Sequence, residues 1–178
     1  KNIANLLATG VLFFHCSFNL TNKLIRFVNF VSNKIKGFFF GQLIVVTGQR
    51  GNGKSTLASQ FAVMAVAQHI GVFLYSGELM SFQLRDWFES QIAGKERLDA
   101  IQHTYTDAVD YCIKPQYQQQ VVDFYDPYTY FYNETPLNGD DEFKLIETIP
   151  KAITQYGCRF IVIDNLMTAM PDDLTSDL

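Results

Sequence analysis

The chain has 178 residues, of which 48% are hydrophobic and 18% are charged. This length suits one domain with a core of useful size, and the composition excludes disorder as the default state. The formal net charge of −4 excludes a generally basic coat for nucleic acid, although it leaves room for a local basic patch.

Cysteine and histidine are too sparse to predict a structural zinc site. Cys16, Cys112 and Cys158 lie far apart in the chain, and only three histidines accompany them. An odd cysteine count without a disulfide framework suits a reducing compartment. Polar residues interrupt the apolar stretch at residues 3–20, so we expect neither a spanning helix nor a signal peptide, and no membrane association.

Residues 1–36 predict a helical packing segment that precedes the main domain. Thr21 is a candidate N-cap for a helix in this segment. The chain does not begin with Met, which suggests a processed chain or an excised fragment. The apolar residues after Thr21 recur at helical spacing and would form one stripe: Leu24, Phe27, Val28, Val31 and Ile35.

Residues 37–178 predict an α/β domain with a parallel sheet flanked by helices. Three apolar runs, at residues 43–46, 72–75 and 160–163, are typical of strands that are buried on both faces. A helical pattern runs from Lys54 to about Gln68, between the first two of these runs. Strands that alternate with helices favour a parallel sheet.

Caps and prolines predict three further helices. Ser81 is a candidate cap for a helix that ends at Gly94, and Pro115 predicts the first turn of a helix that reaches Tyr125. Residues 128–132 predict a strand, and residues 95–127 are the least clear part of the pattern. Asp140 or Asp141 predicts the start of a last helix, which Pro150 should kink or split.

The sharpest signal is the segment GQRGNGKS at residues 48–55, which fits the pattern G-x-x-x-x-G-K-[ST]. It lies between a predicted strand and a predicted helix, which is the context that the pattern requires. Glycines let successive N–H groups point inward around an anion, and the helix N-terminus adds a positive dipole. We therefore predict that ATP is bound by Gly48, Gln49, Arg50, Gly51, Asn52, Gly53, Lys54, Ser55 and Thr56.

Side chains near this segment suggest a complete site for ATP hydrolysis. Lys54 supplies a positive charge at the β and γ phosphates, and Ser55 offers a hydroxyl to Mg²⁺. Asp164 follows an apolar strand, where a carboxylate can hold Mg²⁺ through water beside Ser55. Glu78 follows the strand at residues 72–75 and is the candidate base for the attacking water. The alternatives are a chance glycine-rich turn, a surface aspartate and an exposed or helix-capping glutamate.

Four segments together resemble the RecA-like ATPase core of ring-forming replicative DNA helicases, with the DnaB and Twinkle type closest. They are GFFFGQL at residues 37–43, GQRGNGKST at 48–56, YSGELMS at 75–81 and RFIVIDNLM at 159–167. The resemblance covers roughly residues 37–170. It implies that Glu78 is the catalytic base, that Asp164 binds the metal, and that Lys54 and Ser55 act on the nucleotide and Mg²⁺.

The resemblance also implies partners and a compartment. In the family, ATP hydrolysis drives movement along single-stranded DNA, and the subunits form a homo-oligomeric ring, usually a hexamer. The corresponding location is the cytoplasm of a bacterial or phage-infected cell, or the mitochondrial matrix. Met167 departs from the glutamine that family members often carry there, and the chain ends soon after Asp164. We therefore expect a fragment that binds nucleotide but turns it over poorly alone.

Other functional classes share the same phosphate segment. One alternative is an ATPase of the KaiC or RadA type, or a nucleotide-dependent assembly switch without helicase activity. Another is a small-molecule kinase, which usually brings several arginines onto the transferred phosphoryl group. The sequence after Arg97 lacks such a cluster, so the kinase interpretation is disfavoured.

Overall fold

The computed structural model describes residues 12–16, 24–25, 38–49, 51–102, 109–132 and 145–165, with the backbone alone at 12–16, 24–25 and 146. The strands are β1 (Leu12–Cys16), β2 (Leu24–Ile25), β3 (Phe38–Phe39), β4 (Leu43–Val46), β5 (Gly71–Ser76), β6 (Leu98–Gln102), β7 (Val109–Ile113), β8 (Thr129–Phe131) and β9 (Cys158–Asp164). The α-helices are α1 (Lys54–Val66), α2 (Ser81–Ala93), α3 (Pro115–Tyr125) and α4 (Leu145–Thr154).

Within the described residues, five strands form the main sheet, in the order β4-β1-β9-β5-β8. Strands β9, β5 and β8 are parallel to one another, as the sequence predicts. Strand β1 is antiparallel to both β4 and β9, so β4 runs in the same direction as β9. The carboxyl ends of β4, β5 and β9 therefore lie at one edge of the sheet, where parallel sheets bind their ligands.

The core lies on both faces of β5 and β9, whose side chains alternate between two layers. Helices α1, α2 and α3 pack on one face, and α4 packs on the other. This double coverage explains why both strands read as continuous apolar runs. The first layer includes Phe61, Ala65, Val72, Leu74, Phe88, Val121 and Phe160, and the second includes Phe73, Tyr75, Leu145, Ala152 and Ile161.

Three predicted helices are confirmed, with small changes at their ends. Helix α1 ends at Val66, two residues before the predicted end, and α3 spans Pro115–Tyr125 as predicted. Helix α2 stops before Gly94, whose φ of 72° is in the left-handed region. The predicted cap of α2 is wrong, because Met80 is the N-cap and its N–H donates to Gln83 Oε1 at 3.2 Å.

Strand β4 is not buried on both faces, so that prediction is wrong. Leu43 is 61% exposed and Val45 is 43% exposed. Ile44 and Val46 are half-buried and pack against the core layer that contains α1. Among the described strands, β4 is an edge of the sheet, which explains why one of its faces is left open.

The helix predicted after Thr21 is also wrong at the two positions that the structure describes. Leu24 and Ile25 are extended and pair with β3. Thr21 and the rest of the predicted stripe lie outside the described residues. Strand β1, from the same predicted segment, joins the main sheet, so extended pairing replaces helical packing there.

Helix α4 passes through Pro150 as a single element, so the predicted split does not occur. Thr154 lies one turn after Pro150, and its hydroxyl donates to the carbonyl of Pro150 at 2.8 Å. The predicted starts at Asp140 and Asp141 lie outside the described residues. In the described ranges, the helices are all too short or too polar to cross a membrane.

A two-stranded ribbon of β6 and β7 fills part of the region where the sequence is least clear. Its register runs from Leu98 opposite Ile113 to Gln102 opposite Val109. Leu98 and Ile113 are half-buried against the core, and the rest of the ribbon is exposed. In the chain order, the ribbon follows α2 and leads into α3.

Candidate functional site

The loop between β4 and α1 contains two glycines with left-handed backbones. Gly51 has a φ of 77°, and Gly53, the N-cap of α1, has a φ of 72°. Residues that have a Cβ atom are strained in this backbone region, so these positions favour glycine. The N–H of Leu57 donates to Gly53 O at 2.9 Å, which begins α1 at the predicted position.

The Lys54 side chain folds back over this loop. Its Nζ donates to Gly48 O and to Gln49 O, at 2.9 Å in each case. The side-chain carbons of Lys54 lie 3.8 and 3.9 Å from the place where a Cβ atom of Gly48 would be. The ammonium group is thus held above the loop that precedes its own helix.

Asp164 lies at the last position of β9 and is only 8% exposed. The Ser55 hydroxyl forms a hydrogen bond with its carboxyl group, and the Ser76 hydroxyl lies 3.3 Å from Oδ2. Burial is the largest effect on this group and raises the pKa of Asp164, and the charge of Glu78 also raises it. The Ser55 hydrogen bond is the largest of the effects that lower the pKa of Asp164, and the positive charge of Lys54 also lowers this pKa.

Glu78 lies in a turn that is fixed to the end of β9. The Ser76 hydroxyl accepts hydrogen bonds from the N–H groups of Glu78, at 3.3 Å, and Leu79, at 3.2 Å. The N–H of Gly77 donates to Asp164 O at 3.0 Å. Asn165 Nδ2 donates to Glu78 Oε1 at 3.3 Å, so the carboxylate itself also contacts the end of β9.

Four of the predicted site residues therefore meet at one edge of the sheet: Lys54, Ser55, Glu78 and Asp164. Gly51, Asn52 and Gly53 form the exposed turn before α1, and Thr56 is exposed in its first turn. The N–H of Asn52 donates to Gln49 O at 3.4 Å. Arg50 lies outside the described residues.

Two residues of this site had no predicted role. Ser76 pairs in register with Asp164 across β5 and β9, and Asn165 follows Asp164 directly. Both stand at the ends of apolar runs, which is the signal that the sequence offers. Their contacts depend on the register between two distant strands, and the sequence does not state that register.

The residues present fit a magnesium ion that is bound together with a nucleotide. Within the described ranges, no group of three or more His, Cys, Asp or Glu side chains is arranged to hold a metal ion. The Ser55 hydroxyl and the Asp164 carboxyl group are hydrogen-bonded to each other, and both offer oxygen atoms as metal ligands. Mg²⁺ commonly binds one or two such groups together with phosphate oxygens and water. The donor set thus suits a metal that needs phosphate to complete its shell.

Comparison of the chain with family models, with curated proteins and with solved structures finds no match in any of the three.

Proposed function

We propose that this protein binds ATP with Mg²⁺ at residues 48–56 and hydrolyses it. The observation that carries the proposal is the grouping of Lys54, Ser55 and Glu78 around the buried carboxyl group of Asp164. The hydroxyl of Ser55 bonds to Asp164, while the charges of Lys54 and Glu78 both act on it. A chance glycine-rich turn gives no reason for a buried carboxyl group from a distant strand to bond to the first turn of the following helix, with a second carboxylate close enough to act on it.

Phosphate binding follows from the loop and from Lys54. The backbone N–H groups after Gly48 and the start of α1 supply partial positive charge, and Lys54 supplies a full charge. In the structure that charge is paired with two carbonyl oxygens, of Gly48 and Gln49. Phosphate oxygens are stronger partners for an ammonium group than neutral carbonyls, so Lys54 would exchange these contacts for the nucleotide.

Ser55 and Asp164 would hold the magnesium ion. Bound Mg²⁺ supplies positive charge that offsets the negative charge of the phosphate oxygens. Asp164 is suited to this task, because a buried carboxylate without a cation is unfavourable, and burial raises its pKa. The hydrogen bonds from Ser55 and Ser76 fix the orientation of its carboxyl group.

Glu78 would act as the general base in hydrolysis. Its carboxylate takes a proton from the water whose oxygen bonds to the γ-phosphorus, while the bond from that phosphorus to the bridging oxygen breaks. The products are ADP and inorganic phosphate. Glu78 is exposed, so water reaches its carboxylate, and its contact with Asn165 holds it at the end of β9.

We further propose that the ATPase is the motor domain of a replicative DNA helicase of the RecA-like class. The sequence segments at residues 37–43, 48–56, 75–81 and 159–167 support this finer assignment. Single-stranded DNA, a hexameric ring and a bacterial, phage or mitochondrial location belong to the same proposal. An ATPase of the KaiC or RadA type, or an assembly switch, is the alternative.

The test compares the original chain with Lys54→Ala and with Lys151→Ala. Lys151 is exposed on α4, on the other face of the sheet, so its replacement removes an equal charge away from the site. Binding is measured with a fluorescent ATP analogue, and hydrolysis is measured with and without single-stranded DNA. We expect Lys54→Ala to lower kcat/KM by roughly 10²–10³-fold, while Lys151→Ala stays close to the original protein.

Each outcome of this comparison has a distinct meaning. If Lys54→Ala binds and hydrolyses ATP like the original chain, the phosphate site is misassigned. Turnover that single-stranded DNA stimulates supports the motor, whereas turnover that DNA leaves unchanged favours the KaiC or RadA type. Binding without turnover under any condition favours the switch.

A further inference from the structure

We infer that Asn165 is a positioning residue that fixes the carboxylate of Glu78 for the attack of water on ATP. The inference rests on the proposed role of Glu78 as the general base. Its observation is the hydrogen bond from Asn165 Nδ2 to Glu78 Oε1, at 3.3 Å. Asn165 follows Asp164 directly, so this bond connects the base to the residue that would hold the metal.

The backbone of Asn165 adopts a conformation that most residues avoid. Its φ is 70°, and His69, with a φ of 57°, is the other non-glycine residue with a positive φ in the described part of the chain. Asparagine tolerates this region better than most residues do, but glycine has no Cβ atom and adopts it most readily. A backbone requirement alone would therefore favour glycine, and the amide side chain needs another explanation.

The contact with Glu78 supplies that explanation. Ser76 holds the backbone of the turn through the N–H groups of Glu78 and Leu79, but the Glu78 side chain is exposed. A glutamate side chain has several rotatable bonds, so a fixed backbone does not fix its carboxylate. The Asn165 amide restrains one carboxylate oxygen at the end of β9 and leaves the other oxygen for water.

An amide is chemically suited to this role. It donates a hydrogen bond without carrying a charge, so it restrains Glu78 without forming an ion pair that would compete for the carboxylate. Lysine or arginine at this position would pair with Glu78 and oppose its work as a base. The neutral amide thus orients the Glu78 carboxylate and leaves its negative charge in place.

The first test replaces Asn165 with glycine, which keeps the left-handed backbone available and removes the side chain together with its amide group. We expect the single-turnover rate of ATP hydrolysis to fall by roughly 10–100-fold, since small errors in position can slow a reaction that far. The dissociation constant for ATP should stay within about twofold, because phosphate binding depends on other groups. Asn165→Asp keeps the size of the side chain but repels Glu78, so it should be at least as slow.

The matched control is His69→Gly. His69 is exposed just before β5, at the end of that strand opposite to Ser76, and it shares the left-handed backbone of Asn165. Its ring lies 5.0 Å from that of Tyr128, so some stability is lost in this variant too. Hydrolysis by His69→Gly should equal that of the original chain, which separates positioning from a general effect of glycine.

The decisive comparison uses Glu78→Gln and the double variant Asn165→Gly/Glu78→Gln. If Asn165 acts through Glu78, its loss should not slow a protein that already lacks the base. The inference is overturned if Asn165→Gly hydrolyses ATP at the original rate. It is also overturned if adding Asn165→Gly to Glu78→Gln slows hydrolysis by the same factor as adding it to the original chain. Rapid ATP hydrolysis by Glu78→Gln would also overturn the inference, because Glu78 would then not be the base.

These outcomes are distinct from failure of the proposed function. If the original chain does not bind ATP, or if Lys54→Ala has no effect, the phosphate site itself is wrong. If the chain binds ATP through Lys54 but does not hydrolyse it, hydrolysis and the role of Asn165 both fall while nucleotide binding stands. If hydrolysis depends on Glu78 and not on Asn165, the positioning inference alone falls.

Discussion

Asp164 combines a requirement of the proposed chemistry with a cost to folding. The carboxyl group is only 8% exposed, and burial raises its pKa despite the hydrogen bond from Ser55. A buried carboxylate needs hydrogen bonds or a cation to offset the loss of water. The nucleotide-free protein offers two hydroxyl groups and a nearby lysine charge, and a metal would add the rest. Sites of this kind commonly reduce stability in favour of function.

Replacement of Asp164 by asparagine should therefore stabilise the nucleotide-free protein at pH 7. A raised pKa means that the folded state binds more protons than the unfolded state, so stability falls as the pH rises through the interval above the ordinary value. Asparagine keeps an acceptor oxygen and avoids this penalty. The melting temperature should rise by roughly 2–4 °C for each kcal/mol recovered. Thermal unfolding at pH 7 measures the effect.

The same comparison at about pH 2 is the control for Asp164, because this pH lies well below the ordinary pKa of an aspartate, about 3.9, and burial raises the pKa of Asp164 further in the folded state. The difference between Asp164→Asn and the original chain should shrink there. If the original chain is instead the more stable of the two at pH 7, the ionised carboxylate stabilises the fold through Ser55, Ser76 and Lys54. Burial would then cost the folded state less than these contacts contribute to it.

At the scale of elements, the sequence predicted what local signals determine. Pro115 and Gly94 mark the start of α3 and the end of α2, and the apolar runs of β5 and β9 reflect their coverage on both faces. Two errors are local, the cap of α2 and the effect of Pro150, but the errors at β1, β2 and β4 concern pairing between distant residues. In β1, Leu12 pairs with both Val46 and Asp164, and no local pattern specifies such partners.

The candidate site divides in the same way. Lys54 and Ser55 belong to one continuous segment, so their neighbourhood was predictable from the sequence. The position of Glu78 relative to Asp164 required the resemblance and the order of the strands. The contacts of Ser76 and Asn165 required the register of β5 against β9, which only the structure provides.

The start of β5 shows how closely β5 and β9 approach each other. A Cβ atom added at Gly71 would lie 2.7 Å from Gly157 O and 3.1 Å from the Cα atom of Cys158. Both atoms belong to the backbone and cannot rotate aside. We expect Gly71→Ala to lower the free energy of unfolding by roughly 1–3 kcal/mol, as measured by urea denaturation.

Gly157→Asn is the matched variant for this prediction. Gly157 has a φ of 67°, but a Cβ atom there would meet nothing within 4 Å. Asparagine tolerates the left-handed region, so its cost should be smaller than that of Gly71→Ala. If the two variants have equal free energies of unfolding, or if that of Gly157→Asn is the lower, close backbone contact is not the reason for glycine at position 71.

At the scale of the whole molecule, the proposed ligand connects parts of the chain that lie far apart in sequence. Lys54 and Ser55 belong to α1, Glu78 follows β5, and Asp164 ends β9. A ligand that binds the folded chain and not the unfolded chain stabilises the fold by mass action. The response of the melting temperature to nucleotide is therefore a test of the whole site.

We expect MgATP at about 100 times its dissociation constant to stabilise the original chain by roughly 2.7 kcal/mol, which corresponds to a rise of roughly 5–11 °C in melting temperature. Lys54→Ala should lose most of this rise, because the phosphate charge is no longer paired. EDTA should reduce the rise in the original chain, since Ser55 and Asp164 then contribute no metal contact.

Asp164→Asn should reverse the order of stability in this experiment. Without nucleotide it should melt above the original chain, because the buried charge is absent. With MgATP the original chain should melt at the higher temperature, because only the carboxylate would hold the metal beside Ser55. EDTA should change the melting temperature of the ATP-bound variant little. If MgATP stabilises Asp164→Asn as much as the original chain, Asp164 does not hold the metal, and its burial beside Ser55 and Ser76 serves the fold alone.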